Sequence, residues 1–308
     1  MTNWPGYGSE ASVYCWPEAS YSSGKASVGT FHVSKWVTAC NIDTGPVNRR
    51  FYSAISTATA GQPMGALSTV SDYTLHLEWI PQDQAPSLAS YCVNRSSTGS
   101  VTDLRSLCFV VGTNMSQTNK TFMVLYGCKA KNFAMKMEEG KEVVYTADFS
   151  VASVNRRTSL VAGWTTPGTL PSGAYIHWNK SGLVINKTNT TLIASIVKSF
   201  NMTVDNQLED HWNQGSYTKK SHSIPGNIKV DGSCSLSLDD GGNIWLSGQL
   251  TAMTNLVIGL NTATDLFKYV KIYQAYWDQN TIPISEKSGP MFLDAKFWAS
   301  SASFRKNI

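Results

Sequence analysis

The sequence predicts a mainly β protein, and its low charge, its aromatic content and its strand-like alternation all favour this fold class. Of the 308 residues, 42% are hydrophobic and 15% are charged, whereas about a quarter of the residues are charged in typical globular proteins. The 10 Trp, 13 Tyr and 11 Phe residues belong to types that favour strands and packed interfaces. The chain is also long enough for two domains of ordinary size.

Two stretches of the sequence alternate in the same way and lie 148 residues apart (295 − 147). Successive side chains of a strand point to opposite sides of the sheet, so every second residue shares a face. That face carries Val143, Tyr145, Ala147, Phe149 and Val151 in the first stretch, and Met291, Leu293, Ala295, Phe297 and Ala299 in the second. The spacing predicts two equivalent strands, one in each half of the chain.

Other features repeat around these two strands in the same order. The repeated features are a strand from Lys to Asp (35–43 and 198–205), a strict alternation (73–83 and 234–243), a pair of strands containing Tyr126 or Tyr273 (106–140 and 254–289), and a basic pair (Arg156–Arg157 and Arg305–Lys306). We therefore interpret the chain as two copies of one β unit. The Pro- and Gly-rich segment 163–173 is the expected linker between a first domain at 1–162 and a second at 174–308.

Each copy contains a long segment without hydrophobic periodicity, at 43–65 and at 205–226. Loops longer than about 12–15 residues are uncommon in compact domains and are usually functional. The candidate contact residues in these loops are Arg49, Arg50, Phe51, Tyr52, Trp212, Tyr217, Lys219 and Lys220. They are interpreted either as ordinary exposed charges and rings or as contacts to a neighbouring subunit. Short helices are expected at 85–93 and around 243–250.

The sequence gives no residue-level support for an enzyme. No P-loop, G-x-G-x-x-G, H-E-x-x-H or G-x-S-x-G motif is present, and the five histidines are scattered. We therefore expect no catalytic residues, no cofactor and no metal; Asp205, Glu209 and Asp210 are interpreted as a solvated acidic loop rather than a calcium site. The net charge is only +4, and no dense basic run indicates a nucleic-acid reader.

The cysteines and the chain start indicate folding in a reducing compartment. None of the six cysteines forms a C-x-x-C pair, so they are interpreted as small buried hydrophobes, with one or two disulfides as the alternative. The N-terminal residues do not resemble a secretory signal, and no apolar run suits a membrane helix. We expect a cytoplasmic origin and no membrane partner, and we attribute the seven N-x-S/T triplets to chance rather than to glycosylation.

The order of elements resembles the tail tube proteins of long-tailed (siphovirus-like) bacteriophages. The resemblance rests on residues 61–81, 140–153, 223–242, 266–277 and 288–303, and it spans nearly the whole chain. It implies two tandem tail-tube-like β-sandwich or barrel domains, each with a short helix and a long inter-strand loop. Six such domains close a ring in this family, so three chains would form one ring with pseudo-sixfold symmetry.

The same resemblance implies a role and partners. The chain would be the major tail tube subunit of the virion, assembled in the host cytoplasm and stacked helically as the conduit for DNA ejection. Its partners would be other copies of itself, the tape measure, the tail terminator and the baseplate, with non-specific DNA passage through the lumen. The long loops would reach the next ring, and Arg156, Arg157, Arg305 and Lys306 would make terminal-arm contacts.

Two other classes of function stay open at this point. A secreted or surface module that binds carbohydrate or a receptor would also be rich in Trp, Tyr and Asn, because aromatic rings stack on sugars. A baseplate-hub or related tube component built from the same domain would show the same order of elements.

Overall fold

In the computed structural model, the described residues are 12–24, 31–43, 49–53, 63–68, 72–82, 88–98, 101–114, 120–159, 175–178, 181–187, 190–194, 197–213, 219–237, 254–262, 265–281 and 292–306. Most of them belong to strands. The mainly β fold class predicted from the sequence is therefore confirmed. The expected linker at 163–173 and the second expected helix at 243–250 lie outside the described residues.

Where the structure describes it, the first half of the chain contains twelve strands and one helix. They are β1 (Ser12–Pro17), β2 (Phe31–His32), β3 (Trp36–Asp43), β4 (Arg49–Ser53), β5 (Pro63–Ser68), β6 (Tyr73–Ile80), α1 (Leu88–Val93), β7 (Arg95–Thr98), β8 (Val101–Leu104), β9 (Leu107–Asn114), β10 (Lys120–Glu138), β11 (Val144–Val151) and β12 (Ser153–Arg157). Helix α1 confirms the helix expected at 85–93.

The second half contains ten strands within the described ranges. They are β13 (Ser181–Lys187), β14 (Thr190–Ala194), β15 (Val197–Asp205), β16 (Leu208–Trp212), β17 (Lys220–Pro225), β18 (Lys229–Ser237), β19 (Thr254–Thr262), β20 (Asp265–Thr281), β21 (Phe292–Ala299) and β22 (Ser301–Lys306).

A continuous antiparallel sheet runs through both halves. Its strand order is β3–β6–β11–β10–β15–β18–β21–β20. The halves meet where β10 pairs with β15, from Asn132 opposite Asp205 to Glu138 opposite Ser199. The order on one side of this junction, β3–β6–β11–β10, corresponds to β15–β18–β21–β20 on the other, so the same arrangement of strands occurs twice.

Two further groups of strands pair with the long strands β10 and β20. The N-terminal part of β10 pairs with β9 and β12, and β9 also pairs with β1. The N-terminal part of β20 pairs in the same way with β19 and β22, and β19 also pairs with β13. Phe109 of β9 packs on Phe149 of β11 with ring centroids 4.9 Å apart, so the first of these groups covers the central sheet as in a sandwich.

The core lies on one face of the central sheet because its strands alternate. Leu75, Leu77 and Trp79 of β6 are at most 2% exposed, while the residues between them are half-buried. The two halves share this core, since Phe304 of β22 lies against Phe133 of β10 with centroids 5.3 Å apart. Burying such rings removes apolar surface from water and is a major source of folding free energy.

The irregularities of the strands also recur at corresponding places. The pairing of β3 with β6 slips between Val37 and Ala39, and that of β15 with β18 slips between Val197 and Ser199. A β-bulge bends a strand and increases its twist. Equivalent bulges therefore give both halves the same curvature, which supports the proposed duplication.

A second bulge and a residue with positive φ repeat in the same way. The pairing of β10 with β11 slips between Ala130 and Asn132, and that of β20 with β21 slips between Trp277 and Gln279. Three residues before Ala130 and Trp277, the chain adopts positive φ at Gly127 (63°) and at Gln274 (55°). The repeated left-handed residue is independent of side-chain similarity, and it again supports two copies of one unit.

The two segments without periodicity are β-hairpins where the structure describes them. β4 pairs with β5, and β16 pairs with β17. Each segment is thus a long insertion between two strands of the central sheet, as expected, but it contains two strands that the lack of hydrophobic periodicity did not indicate. In LEDHW the half-buried residues are Leu208, Asp210 and Trp212, and the two residues between them are exposed. Because Asp210 is polar, the strand period is not a full period of hydrophobicity, and a hydrophobic pattern does not detect it.

All six cysteines lie within the described residues and none forms a disulfide. Five are buried, and Cys40 is partly buried. Burial raises the pKa of the Cys40 thiol to about 11 and that of Cys234 to about 12. The interpretation as buried hydrophobes therefore agrees with the structure, because thiols with such raised pKa values stay protonated and unreactive at neutral pH.

Candidate functional site

The hairpin β16–β17 is anchored on the first half of the chain through backbone atoms. The amide of Asn206 donates to the carbonyl of Lys131 (2.9 Å), and the amide of Lys220 donates to that of Ala152 (3.1 Å). The side-chain amide of the buried Asn206 also donates to the carbonyls of Cys92 (2.9 Å) and Ala130 (3.1 Å). Two of these carbonyls, those of Ala130 and Lys131, lie at the bulge of β10, so the hairpin docks next to the bulge.

Lys220 lies at the centre of this contact and has no exposed side-chain surface. Its ammonium group donates to Ser150 Oγ (2.7 Å), Asp210 Oδ2 (2.8 Å) and Asp72 Oδ1 (2.5 Å). A buried charge is costly unless it is paired and hydrogen-bonded. From the sequence, Lys220 is expected either as an exposed loop charge or as a contact to a neighbouring subunit, but it is buried and binds acidic groups of its own chain.

Asp210 is the main acidic partner in this cluster. Ser223 and Ser150 both donate to its carboxylate, at 2.5 Å and 2.8 Å. Burial alone would raise the pKa of Asp210, but the hydrogen bonds from Lys220, Ser223 and Ser150 and the charge of Lys220 lower it below the ordinary value. The carboxylate is therefore ionised at neutral pH and holds the hairpin on the sheet.

A second lysine reinforces the same contact from the sheet side. Lys129 of β10 donates to both oxygens of Asp103 (2.7 and 2.8 Å) and to the carbonyl of Ser223 (2.8 Å). Tyr21 hydrogen-bonds Ser223 through its hydroxyl (3.0 Å), and its ring stacks on His222. The sequence contained no signal for this cluster, because its members lie far apart along the chain, from Tyr21 to Ser223.

The other contact residues predicted in the two long segments lie on the two hairpins where the structure describes them. Trp212 is partly buried with its ring 5.6 Å from the ammonium group of Lys220, and Lys219 is exposed. Tyr217 lies outside the described residues. Arg49, Arg50, Phe51 and Tyr52 lie in β4, opposite Ser68, Leu67, Ala66 and Gly65 of β5. The structure thus unites Trp212, Lys219 and Lys220 on one hairpin, and the four residues at 49–52 on another.

The four residues expected in terminal arms belong to strands instead. Arg156 and Arg157 of β12 pair with Met123 and Phe122. Arg305 and Lys306 of β22 pair with Tyr269 and Lys268. The expectation of free arms is therefore wrong for these positions, because both basic pairs complete a flanking sheet; a contact to another subunit through their side chains stays a prediction.

Among the described strands, the central sheet has two edges without a neighbour, which the sequence did not reveal. β3 ends the strand order and pairs only with β6 among the described strands. At the opposite end, residues Gln279 to Thr281 of β20 pair with β21 on one side, and no described strand pairs with them on the other. Open edges offer rows of backbone donors and acceptors and favour pairing with another strand.

Two aromatic rings are exposed near the β20 edge. Tyr276 and Trp298 are paired across β20 and β21, are 40% and 47% exposed, and stack with centroids 4.5 Å apart at 15°. The alternation of β21 explains this position, because Phe297 and Ala299 point into the core and Trp298 points away from it. An exposed pair of large rings marks a surface suited to a partner.

The described residues contain no group of three or more His, Cys, Asp and Glu side chains arranged to hold a metal ion. Of the acidic residues considered for calcium, Asp205 accepts from the amide of Gln207 (2.8 Å), and Asp210 belongs to the lysine cluster. In the part of the chain that the structure describes, no helix has both the length and the apolar character needed to cross a membrane.

Sheet edges that are unpaired among the described strands, an exposed aromatic pair and a lysine-centred structural contact are features of a structural protein suited to assembly through β-strands. A comparison with protein families gives the particular family: the model of the phage tail tube protein matches residues 36–304. The chain belongs to that family and is a structural tail tube subunit of the virion. No curated protein matches the sequence, and no finding favours the carbohydrate-binding alternative.

Proposed function

We propose that the chain is the major subunit of a siphovirus-like tail tube in which three copies close each ring. The single observation that carries this proposal is the pairing of β10 with β15 between the two halves. In the second half, β20 corresponds to β10, and in the first half, β3 corresponds to β15. A second copy would therefore repeat the junction by placing its β3 on the open edge of β20.

The register of this contact follows from the bulges that the two halves share. Within the chain, Ala134 of β10 lies opposite Thr203 of β15. Ala134 lies two residues after Asn132 at the bulge of β10, and Thr281 lies two residues after Gln279 at the bulge of β20. In the same way, Thr203 lies four residues after Ser199 at the bulge of β15, and Asp43 lies four residues after Ala39 at the bulge of β3. The proposed contact therefore sets Thr281 of one chain opposite Asp43 of the next. Three junctions within chains and three between chains would close six pseudo-equivalent halves into a ring without open edges.

The polar face of the central sheet would line the lumen of this ring, since the other face carries the core. Its side chains that are at least partly exposed include Glu78, Asp148, Asp231 and Asp294 together with Lys136 and Lys296. A hydrated surface with both signs of charge lacks the dense positive patch that would hold phosphates. Such a lining suits the proposed passage of DNA during ejection.

Rings of this kind would stack helically, assemble in the host cytoplasm and meet the tape measure, the tail terminator and the baseplate. Membership of the tail tube family supports the proposal of these partners. The two hairpins remain the proposed route to the next ring, through Arg49, Arg50, Tyr52, Trp212, Tyr217 and Lys219. An inert structural role without enzymatic turnover is part of the same proposal.

Cysteine cross-linking tests the ring. In the variant Asp43→Cys/Thr281→Cys, mild oxidation of assembled protein should give covalent dimers and then closed trimers on a non-reducing gel. Opposed strand residues lie about 4.5–5.5 Å apart, a separation that a disulfide spans. The single variants Asp43→Cys and Thr281→Cys are the controls and should give no closed trimer. Absence of cross-links in protein that still forms tubes would refute the proposed junction.

A further inference from the structure

Hairpins β4–β5 and β16–β17 have equivalent pairing, and both contain a register slip at the same position. Asp210 lies opposite Ser223 in β16–β17, and the register slips between His211 and Trp212. Phe51 lies opposite Ala66 in β4–β5, and the register slips between Tyr52 and Ser53. Both slips follow the fourth pair of the hairpin.

This shared register gives a correspondence for every paired residue. Phe51 occupies the position of Asp210, and Ala66 occupies that of Ser223. Pro63, which follows the slip, occupies that of Lys220, the residue opposite Trp212. The correspondence depends only on the pairing of the strands.

The surface beneath the hairpin has an equivalent as well. Hairpin β16–β17 lies over Ser150 of β11 and Lys129 of β10, which are paired with each other. The corresponding pair in the second half is Trp298 of β21 and Tyr276 of β20. In both halves the pair lies one residue before the bulge of the long strand, since Lys129 precedes Ala130 and Tyr276 precedes Trp277. The exposed aromatic pair thus occupies the place that a hairpin covers in the first half.

The chemistry changes on both sides of this contact together. On the surface of the first half, the polar residues Ser150 and Lys129 contact hairpin β16–β17 of the second half. The hairpin contributes Asp210, Ser223 and Lys220 to this contact. At the corresponding positions, the other hairpin carries Phe51, Ala66 and Pro63, and the surface carries Trp298 and Tyr276. A polar hairpin thus matches a polar surface, and an apolar hairpin matches an apolar one.

We propose that Tyr276 and Trp298 are the docking site for hairpin β4–β5 of a second copy of the chain. This inference rests on the proposed ring, because the β3–β20 junction brings the neighbour's hairpin to this place. Phe51 would pack on Trp298 as Asp210 contacts Ser150. Phe51 is thereby assigned to a contact within the ring, whereas the sequence assigned it to a contact between rings. Aromatic pairs in pockets that exclude water commonly dominate the affinity of an interface.

The first experiment tests the contact directly. The variant Phe51→Cys/Trp298→Cys is assembled and treated with a short bismaleimide, which bridges two thiols. Cross-linked dimers that are absent from both single variants are expected. Failure of this cross-link in protein whose Asp43→Cys/Thr281→Cys counterpart does cross-link would overturn the docking site and leave the ring intact. Failure of both cross-links would refute the ring and the docking site together.

The second experiment measures how much the aromatic side chains of Tyr276 and Trp298 contribute to assembly. Tyr276→Lys/Trp298→Ser gives the surface the residues found at the equivalent place in the first half. We expect the protein concentration needed for assembly to rise roughly tenfold or more, as for the loss of a hot spot. Ile224→Ser is the matched control, since Ile224 is 54% exposed on the other hairpin, and it should assemble normally. Thermal unfolding checks that both variants fold, and unchanged assembly of a folded double variant would contradict the proposal.

If the pair instead binds another partner, such as a different tail protein or a saccharide, the double variant would assemble normally and the bismaleimide would give no dimers. Both outcomes reject hairpin β4–β5 as the occupant. Normal assembly of the double variant together with a positive cross-link would show that the aromatic side chains of Tyr276 and Trp298 are not a hot spot for closure of the trimeric ring.

Discussion

The ammonium group of Lys220 and the carboxylate of Asp210 lie 2.8 Å apart on the two strands of one hairpin, and the lysine side chain is fully buried. Asp72 of the first half approaches the same ammonium group. The pair therefore joins the hairpin of the second half to the surface of the first. Such an arrangement favours one position of the hairpin, because any displacement would leave a charge buried without a partner.

Replacing Lys220 with Met should destabilise the protein considerably. The substitution keeps the length of the side chain but leaves Asp210 partly buried without its cation, a type of change that costs about 3 kcal/mol. Urea unfolding of the unassembled protein gives the free energy. Lys219→Met is the control, since Lys219 is exposed, and it should change stability by less than about 0.5 kcal/mol. Equal effects of the two substitutions would show that the buried contact is unimportant.

The lowered pKa of Asp210 makes this contact sensitive to acid. A carboxylate whose pKa is lower in the folded state stabilises the protein above its unfolded pKa, about 3.9. That contribution is lost as the pH falls through the folded pKa, which lies lower still. The difference in stability between the parent and Asp210→Asn should therefore be constant above about pH 5 and shrink below it. A difference that grows on acidification would contradict the assignment.

The sequence predicted the repeated strands because their burial alternates. Ala147 and Ala295 lie on β11 and β21, as the matching alternation indicated, and Tyr126 and Tyr273 lie on β10 and β20. In these strands one face is buried in the core, so the pattern of hydrophobicity is also the pattern of the strand.

The sequence could not predict the hairpins or their environments. In β16 and β17 the alternating residues include Asp210, Lys220 and Ser223, whose burial depends on partners far away along the chain. Neither could it predict that Lys220 is buried, because a single sequence shows a charge but not the carboxylates that fold against it. The alternation that puts Phe297 and Ala299 on one face of β21 already sets Trp298 on the other, but its stacking on Tyr276 depends on the pairing of β20 with β21.

Gly127 and Gln274 provide a test of backbone strain at equivalent positions. Both have positive φ, but a Cβ on Gly127 would lie 2.6 Å from the Cβ of Ala152. Gly127→Ala should therefore lower the free energy of unfolding by about 2 kcal/mol or more, from left-handed strain and overlap together. Gln274→Gly should change it by less than about 0.5 kcal/mol, because relief of strain offsets the greater entropy of the unfolded chain. Chemical denaturation of both variants distinguishes these outcomes, and a tolerated Gly127→Ala would be the contrary result.

Asn94, which directly follows helix α1 in the first half, hydrogen-bonds Phe304 of β22 in the second half. Its side-chain oxygen accepts from the amide of Phe304 (2.8 Å), and its side-chain nitrogen donates to the carbonyl of Phe304 (2.7 Å). Two neighbouring backbone groups of β22 thus depend on a side chain from the other half of the chain.

Asn94→Ala should destabilise the protein by about 2 kcal/mol, since both backbone groups of Phe304 lose a partner in a partly buried place. Asn94→Asp is the informative comparison, because it keeps the acceptor for the amide and faces the carbonyl of Phe304 with a negative charge. We expect Asn94→Asp to be no more stable than Asn94→Ala at neutral pH and to recover as the carboxyl group is protonated near pH 4. Hydrogen exchange of the Phe304 amide should accelerate in Asn94→Ala, while that of the Ala147 amide in the central sheet should follow only the global stability. If exchange at Phe304 is unchanged relative to Ala147, the side chain of Asn94 does not hold β22 against the first half.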